Sequence, residues 1–142
     1  MGYIREMTID APLDLVWRAW TRPTDLRSWL APDCEVGVGV GGPWEFAWAN
    51  GDATKGCHLL GFEPLRRLEF EWTAGGADYH DLFEHPHAST RVEVRLSRKG
   101  DATVVTVEQR EWREGADWAA YEEIVADDWE EALVKLKSHC EG

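Results

Sequence analysis

Basic residues are scarce in this sequence: 15 lysines and arginines stand against 27 aspartates and glutamates, a formal charge of -12. A field of that sign repels phosphate backbones and anionic headgroups, which argues against nucleic acid and membrane surfaces as partners. Long apolar runs are missing too. No stretch approaches the roughly 20 residues a membrane-spanning helix needs, and no basic region followed by a hydrophobic one opens the chain, so the expected location is cytoplasmic. Cysteine is sparse. Cys34, Cys57 and Cys140 are odd in number, far apart and outside any Cys-x-x-Cys pair, and they read as reduced thiols. There is no Gly-x-Ser-x-Gly elbow for a nucleophile. Gly37, Gly39, Gly41 and Gly42 fall in a strand and hairpin rather than between a strand and a helix, so no phosphate cradle forms and no cofactor is expected. No repeat, low-complexity tract or Pro/Ser-rich linker divides the chain, and residues 1–142 are expected to form one domain. What is abundant is tryptophan. Nine of them, in a chain with 11% aromatics, exceed what an ordinary core requires, because large rings are hard to pack without leaving gaps.

The pattern along the chain predicts its elements. Tyr3 to Ile9 alternates and reads as a first strand, ended by Asp10-Ala11-Pro12. Pro12 suits a first helical turn, Asp14 complements the N-terminal dipole, and Leu13, Val16, Trp17 and Trp20 recur at helical spacing over about two turns. After the break at Arg22-Pro23, Leu26, Trp29 and Leu30 give a second short helix ending near Pro32. The period then becomes two: Val36, Val38 and Val40 before the Gly41-Gly42-Pro43 turn, then Trp44, Phe46 and Trp48 on one face. Asn50-Gly51-Asp52 is a tight turn, leading to a strand from about Thr54 to Glu63 and another carrying Leu68, Phe70 and Trp72. Thr90 to Leu96 and Thr103 to Gln109 are the last strands, joined at Lys99-Gly100-Asp101. From about Gly115 the chain turns helical. Trp118, Tyr121, Val125, Trp129, Leu133 and Leu136 form one face, and Glu122, Glu123, Asp127, Glu130, Glu131 and Lys135 the other. That stripe must bury against the aromatic face of the antiparallel sheet, giving an α+β fold.

This order of strand, two short helices, six-stranded meander and long terminal helix resembles the helix-grip fold of the START-like, or SRPBCC, superfamily, also called Bet v 1-like. Ile9-Asp10-Ala11-Pro12, Val16-Trp17-Arg18-Ala19-Trp20-Thr21 and Leu26-Arg27-Ser28-Trp29-Leu30-Ala31-Pro32 look like the opening signature of its activator-of-Hsp90-ATPase-homologue branch. So do Gly41-Gly42-Pro43-Trp44-Glu45-Phe46, the corner from Glu63-Pro64 to Arg67-Leu68, and Trp129-Glu130-Glu131-Ala132-Leu133. The resemblance implies a curved sheet around the terminal helix. Members of the superfamily bind lipids, hormones and polyketides, and some are cyclases or hydrolases. For the branch it also implies a co-chaperone or other protein-contact role, with a chaperone or a second copy of the chain as partner.

Two groups of residues are candidates for function. If Trp44, Phe46, Trp48, Phe62, Phe70 and Trp72 point inward and Trp118, Tyr121 and Val125 approach from the helix, the rings either fill the interior or enclose a space for a small apolar or aromatic molecule. Trp48, Trp72 and Trp118, toward the open end, are the expected contacts, and Trp44 and Phe46 lie nearer the hairpin core. His58, sharing a face with Leu60 and Phe62, and Gln109, sharing one with Val105 and Val107, would be the polar groups inside. Glu111 continues the Gln109 face. His58 and Glu111 are then the acid/base candidates if the cavity is catalytic. The second group is the Tyr79 to His87 loop, where His80, His85 and His87 with Asp81 and Glu84 match no defined metal motif and read as an exposed polar loop, a lid or a metal site.

Overall fold

The computed structural model describes residues 2–37, 39–54, 56–73, 90–110 and 115–142. In chain order the elements are β1 (Tyr3–Ile9), α1 (Leu13–Thr21), α2 (Pro23–Trp29), β2 (Asp33–Val36), β3 (Trp44–Ala47), β4 (Leu59–Glu63), β5 (Arg67–Trp72), β6 (Thr90–Lys99), β7 (Ala102–Arg110) and α3 (Ala116–Glu141). Five strands form one antiparallel sheet in the order β1-β7-β6-β5-β4, and β2 pairs with β3 in a separate ribbon. The ribbon is stitched to β4 by Trp44 N–H to Cys57 C=O at 3.0 Å and Leu59 N–H to Gly42 C=O at 2.9 Å. It therefore extends the same surface.

Each strand alternates as its side chains require. β5 buries Leu68, Phe70 and Trp72 and leaves Arg67, Glu69 and Glu71 half-exposed; β7 buries Thr103, Val105, Val107 and Gln109. The β6–β7 turn is tight because Gly100 sits at φ 62, a backbone conformation costly for any residue with a Cβ. The helix α3 lays Trp118, Tyr121, Val125, Trp129, Leu133 and Leu136 against the sheet. Its last turns are pinned at the opposite end: Glu141 accepts the Asp10 N–H at 2.7 Å, Lys137 donates to the Thr8 carbonyl at 3.0 Å, and His139 Nε2 lies 2.8 Å from Asp25 Oδ1. A sheet gripping one long helix, with α1 and α2 after the first strand, is the α+β helix-grip architecture.

The ribbon departs from the alternation expected of its valines. β2 ends at Val36, and Val40 lies in the turn at 70% exposure; Val38 is outside the described residues. The strand expected from Thr54 begins at Leu59, preceded by isolated bridges of Ala53 to Ala47 and His58 to Pro43. Here Glu45 does what a longer ladder would have done, accepting the Cys57 N–H at 2.6 Å and the Thr54 hydroxyl at 2.5 Å.

The interior is built of rings. Trp44, Phe46, Phe70, Trp72, Trp129 and Trp20 make a continuous chain of contacts, with centroids 4.9 Å apart for Trp44–Phe70, 5.0 Å for Trp72–Trp129 and 6.1 Å for the stacked Trp20–Trp129 pair. Burying a ring of this size is worth roughly 4–6 kcal/mol from its area alone. Against that, the indole N–H groups of Trp20, Trp44 and Trp129 are buried with no hydrogen-bond partner among the described residues, at about 1–3 kcal/mol each. Ring burial wins at each position.

Candidate functional site

Trp118, Tyr121 and Val125 form a second cluster with Tyr3, apart from the main core. Beside it a chain of side-chain hydrogen bonds crosses four strands. Tyr3 Oη donates to Gln109 Oε1, Gln109 Nε2 donates to Thr90 Oγ1 at 2.8 Å, and Thr90 Oγ1 donates to the Trp72 carbonyl at 2.5 Å. Gln109 is thus fully buried on the inner face with both ends of its amide held by protein groups. Burial raises the phenols of Tyr3 and Tyr121 well above their ordinary range, so both remain neutral donors at any physiological pH.

His58 is a correction. It stands on the outer face, its side chain 55% exposed, with Nδ1 3.2 Å from Glu71 Oε1, whereas Cys57 is buried. The cause is a register shift between Leu59 and Gly61: Leu59 faces Phe70 and Phe62 faces Leu68, so two inward residues are separated by three positions rather than two. Counting back from Phe62 across this bulge assigns His58 to the wrong face. Phe62 itself packs edge-on against Trp17 at 5.5 Å. Burial pushes the Cys140 thiol up to about 11, helped by Asp25 and Glu141, and burial likewise raises Cys34. Glu111, His80, His85 and His87 lie outside the described residues.

An open cleft of about 200 Å³ lies where the end of β3, the turn after it and the end of β5 meet α2 and α3. Trp29, Leu30, Trp48, Trp72, Trp129 and Ala132 supply its apolar lining. Asn50, Asp52, Asp128, Glu131 and Lys135 supply the polar part. Trp48 is fixed by its Nε1–H to the Leu30 carbonyl at 2.9 Å, and Trp29 by its Nε1–H to the Ala19 carbonyl at 2.7 Å. Trp48 and Trp72 meet at 6.0 Å with planes 80° apart, a corner of two indoles. The Asp128 carboxyl is raised by partial desolvation at this wall and then by the charges of Asp52, Glu131 and Asp127, with Lys135 opposing them.

Of the residues expected to contact a ligand, Trp48 and Trp72 line this cleft. Trp44, Phe46 and Phe70 are packed core within 2% of complete burial, and Gln109, Trp118, Tyr121 and Val125 lie elsewhere on the inner face. Sequence reasoning placed the α3 contribution at Trp118, Tyr121 and Val125 and missed the later turns that line the cleft. Residues 128, 131, 132 and 135 recur at three- and four-residue spacing along the border of the apolar stripe, where an amphipathic helix changes character.

The helix-grip fold and its sheet-to-helix cleft define a START-like, SRPBCC-type protein. Within that class the family described as Activator of Hsp90 ATPase homolog 1-like protein matches residues 10–141, and the chain belongs to it. Protein MLL2253 from Mesorhizobium loti is similar in fold at 22% identity and TM-score 0.81, over 98% of this chain and 96% of that one. CalU16 from Micromonospora echinospora is similar at 29% identity and TM-score 0.69, over 98% and 75% of the two chains. The Aha1 dimer from Colwellia psychrerythraea is similar at 21% identity and TM-score 0.74, over 99% and 96%. No curated protein matches the chain. No helix among the described residues is long and apolar enough to cross a membrane.

Proposed function

We propose that this protein binds a small hydrophobic or aromatic molecule in the cleft between the sheet and α3. The observation that carries the reading is the cleft itself: the same kind of rings that close against one another in the core leave about 200 Å³ open between Trp48, Trp72 and Trp129. A dry cavity of about 150 Å³ admits benzene, and sites for drug-sized ligands begin at about 300 Å³. The cleft therefore takes one or two fused rings, or one end of a longer molecule. A cyclase or hydrolase working in the same place loses the imidazole assigned to it, because His58 faces away from it.

Native mass spectrometry of the purified protein, compared with the denatured sample, tests this directly and reports monomer or dimer in the same spectrum. A retained organic mass that is lost on Trp48→Ala and kept on His58→Ala is the expected result. An organic mass equally retained in both variants would move the ligand away from this cleft, and failure of every small aromatic added in excess to bind would end the ligand-binding reading.

A further inference from the structure

We propose that Ala132 sets the size of molecule this cleft admits: its methyl group leaves room for a fused two-ring aromatic, and a larger side chain at that position shuts such a molecule out. This rests on the ligand-binding reading above and names the residue that selects the ligand by size. Five of the six apolar side chains on the cleft wall are tryptophan or leucine, namely Trp29, Leu30, Trp48, Trp72 and Trp129, and Ala132 is the sixth. Among the described residues it is the one small apolar group there. The large rings have little freedom to make or take space. Trp29 and Trp48 are held by their indole hydrogen bonds to the Ala19 and Leu30 carbonyls, at 2.7 and 2.9 Å. Trp72 is wedged among Phe46, Phe70 and Trp129, with ring centroids 5.6, 5.6 and 5.0 Å away, and Trp129 stacks on Trp20 at 6.1 Å. Rings packed this closely yield little.

Most of the polar side chains on the wall do not fix its width either, since Asn50, Asp128, Glu131 and Lys135 are exposed and free to turn toward solvent. Helix geometry gives position 132 its reach. A helical side chain leans back over the turn that precedes it, so a longer one at 132 lies toward Asp128 and Trp129, both on the cleft wall. Ala132 packs against the core yet is only partly buried, so its methyl group is not walled in on every side. The neighbouring inward positions of α3 carry Trp129, Leu133 and Leu136, and a side chain of that size at 132 would project into the opening. About 200 Å³ is open, and a dry cavity of about 150 Å³ is what benzene alone requires. Three further carbon atoms at position 132 therefore leave too little for two fused rings.

The test is isothermal titration of 1-naphthol into the parent and the variants Ala132→Ser and Ala132→Leu, with the melting temperature of each measured alongside. Serine is close to alanine in size, and its affinity is expected to stay within about threefold of the parent's. Leucine is expected to weaken binding about tenfold or more while melting at or above the parent, because it forms helix nearly as well as alanine and fills open space. An Ala132→Leu affinity equal to the parent's or tighter overturns the inference and leaves the ligand-binding reading standing. A melting temperature well below the parent's overturns it too, since overpacking would mean that position 132 faces no open space. A loss as large with serine as with leucine overturns it by making polarity, not size, the cause. If the parent itself does not bind 1-naphthol, the inference and the reading beneath it fall together.

Discussion

Indole is the bulkiest side chain to bury, and it takes one donor into the core with it. Trp44 is 1% exposed, packs against Phe46 at 5.3 Å and Phe70 at 4.9 Å, and leaves its N–H without a partner among the described residues. Trp44→Phe is therefore expected to cost about 1–2 kcal/mol, against about 3–5 kcal/mol for Trp44→Ala, because the smaller ring leaves a gap while removing an unpaired donor. Urea unfolding of the two variants checks this, and a Phe variant as unstable as the Ala variant would show that the donor's burial carries no penalty. The same residue shows what a sequence can tell at this scale. That Trp44, Phe46 and Phe70 face inward follows from a period of two. That His58 faces outward does not follow from a period of two, because a bulge between Leu59 and Gly61, marked in the sequence by the glycine inside the strand, reverses the parity of everything before it.

On the outer face of β4 to β7, the elements are tied by charge. Glu93 accepts hydrogen bonds from Arg67, Arg95 and Arg110; Arg67 also reaches Glu63 and Glu69, and Arg95 reaches Glu108. Burial of Glu93 opposes its ionisation, yet the hydrogen bonds and charges of Arg67 and Arg95 prevail and hold the carboxyl below its ordinary 4.5. An acid depressed in the folded state contributes stability above its unfolded value and loses it as pH falls through the folded one. Glu93→Gln is thus expected to cost roughly 1–3 kcal/mol at neutral pH, with the deficit shrinking as pH drops below 4.5. Denaturant midpoints of parent and variant at neutral and acid pH measure the difference, and a deficit that does not change with pH would refute the assignment. The elements themselves were legible from periodicity: β1, β3, α1 and α3 lie where their patterns put them. The valine run was not, since alternation across glycines signals strand while the Gly39 and Gly41 backbone at positive φ bends the chain away from it.

For the molecule as a whole, the excess of 12 negative charges is the dominant long-range term. Exposed ion pairs contribute little each, about 0–1 kcal/mol, whereas repulsion among distant carboxylates acts over the screening length of about 8 Å at physiological ionic strength and further in dilute buffer. The melting temperature is therefore expected to rise when salt is added to a dilute buffer, as scanning calorimetry across a salt series would show; a fall would mean that the arginine ladder outweighs the net charge. The global architecture was readable because an amphipathic helix of this length and an aromatic antiparallel face have one economical way to bury each other. The cleft was legible in part: Trp48 and Trp72 were expected at the open end, whereas Trp29 and Trp129 were not, because its walls come from four places far apart in sequence and only folding brings them to one rim. That convergence has an optical consequence. Trp48, Trp72, Trp129, Trp20 and Trp29 follow one another at centroid separations of 6.0, 5.0, 6.1 and 4.8 Å, close enough for their transition dipoles to couple. Excitation hops among rings this close, so a quencher docked beside Trp48 is expected to dim its buried neighbours as well as Trp48 itself.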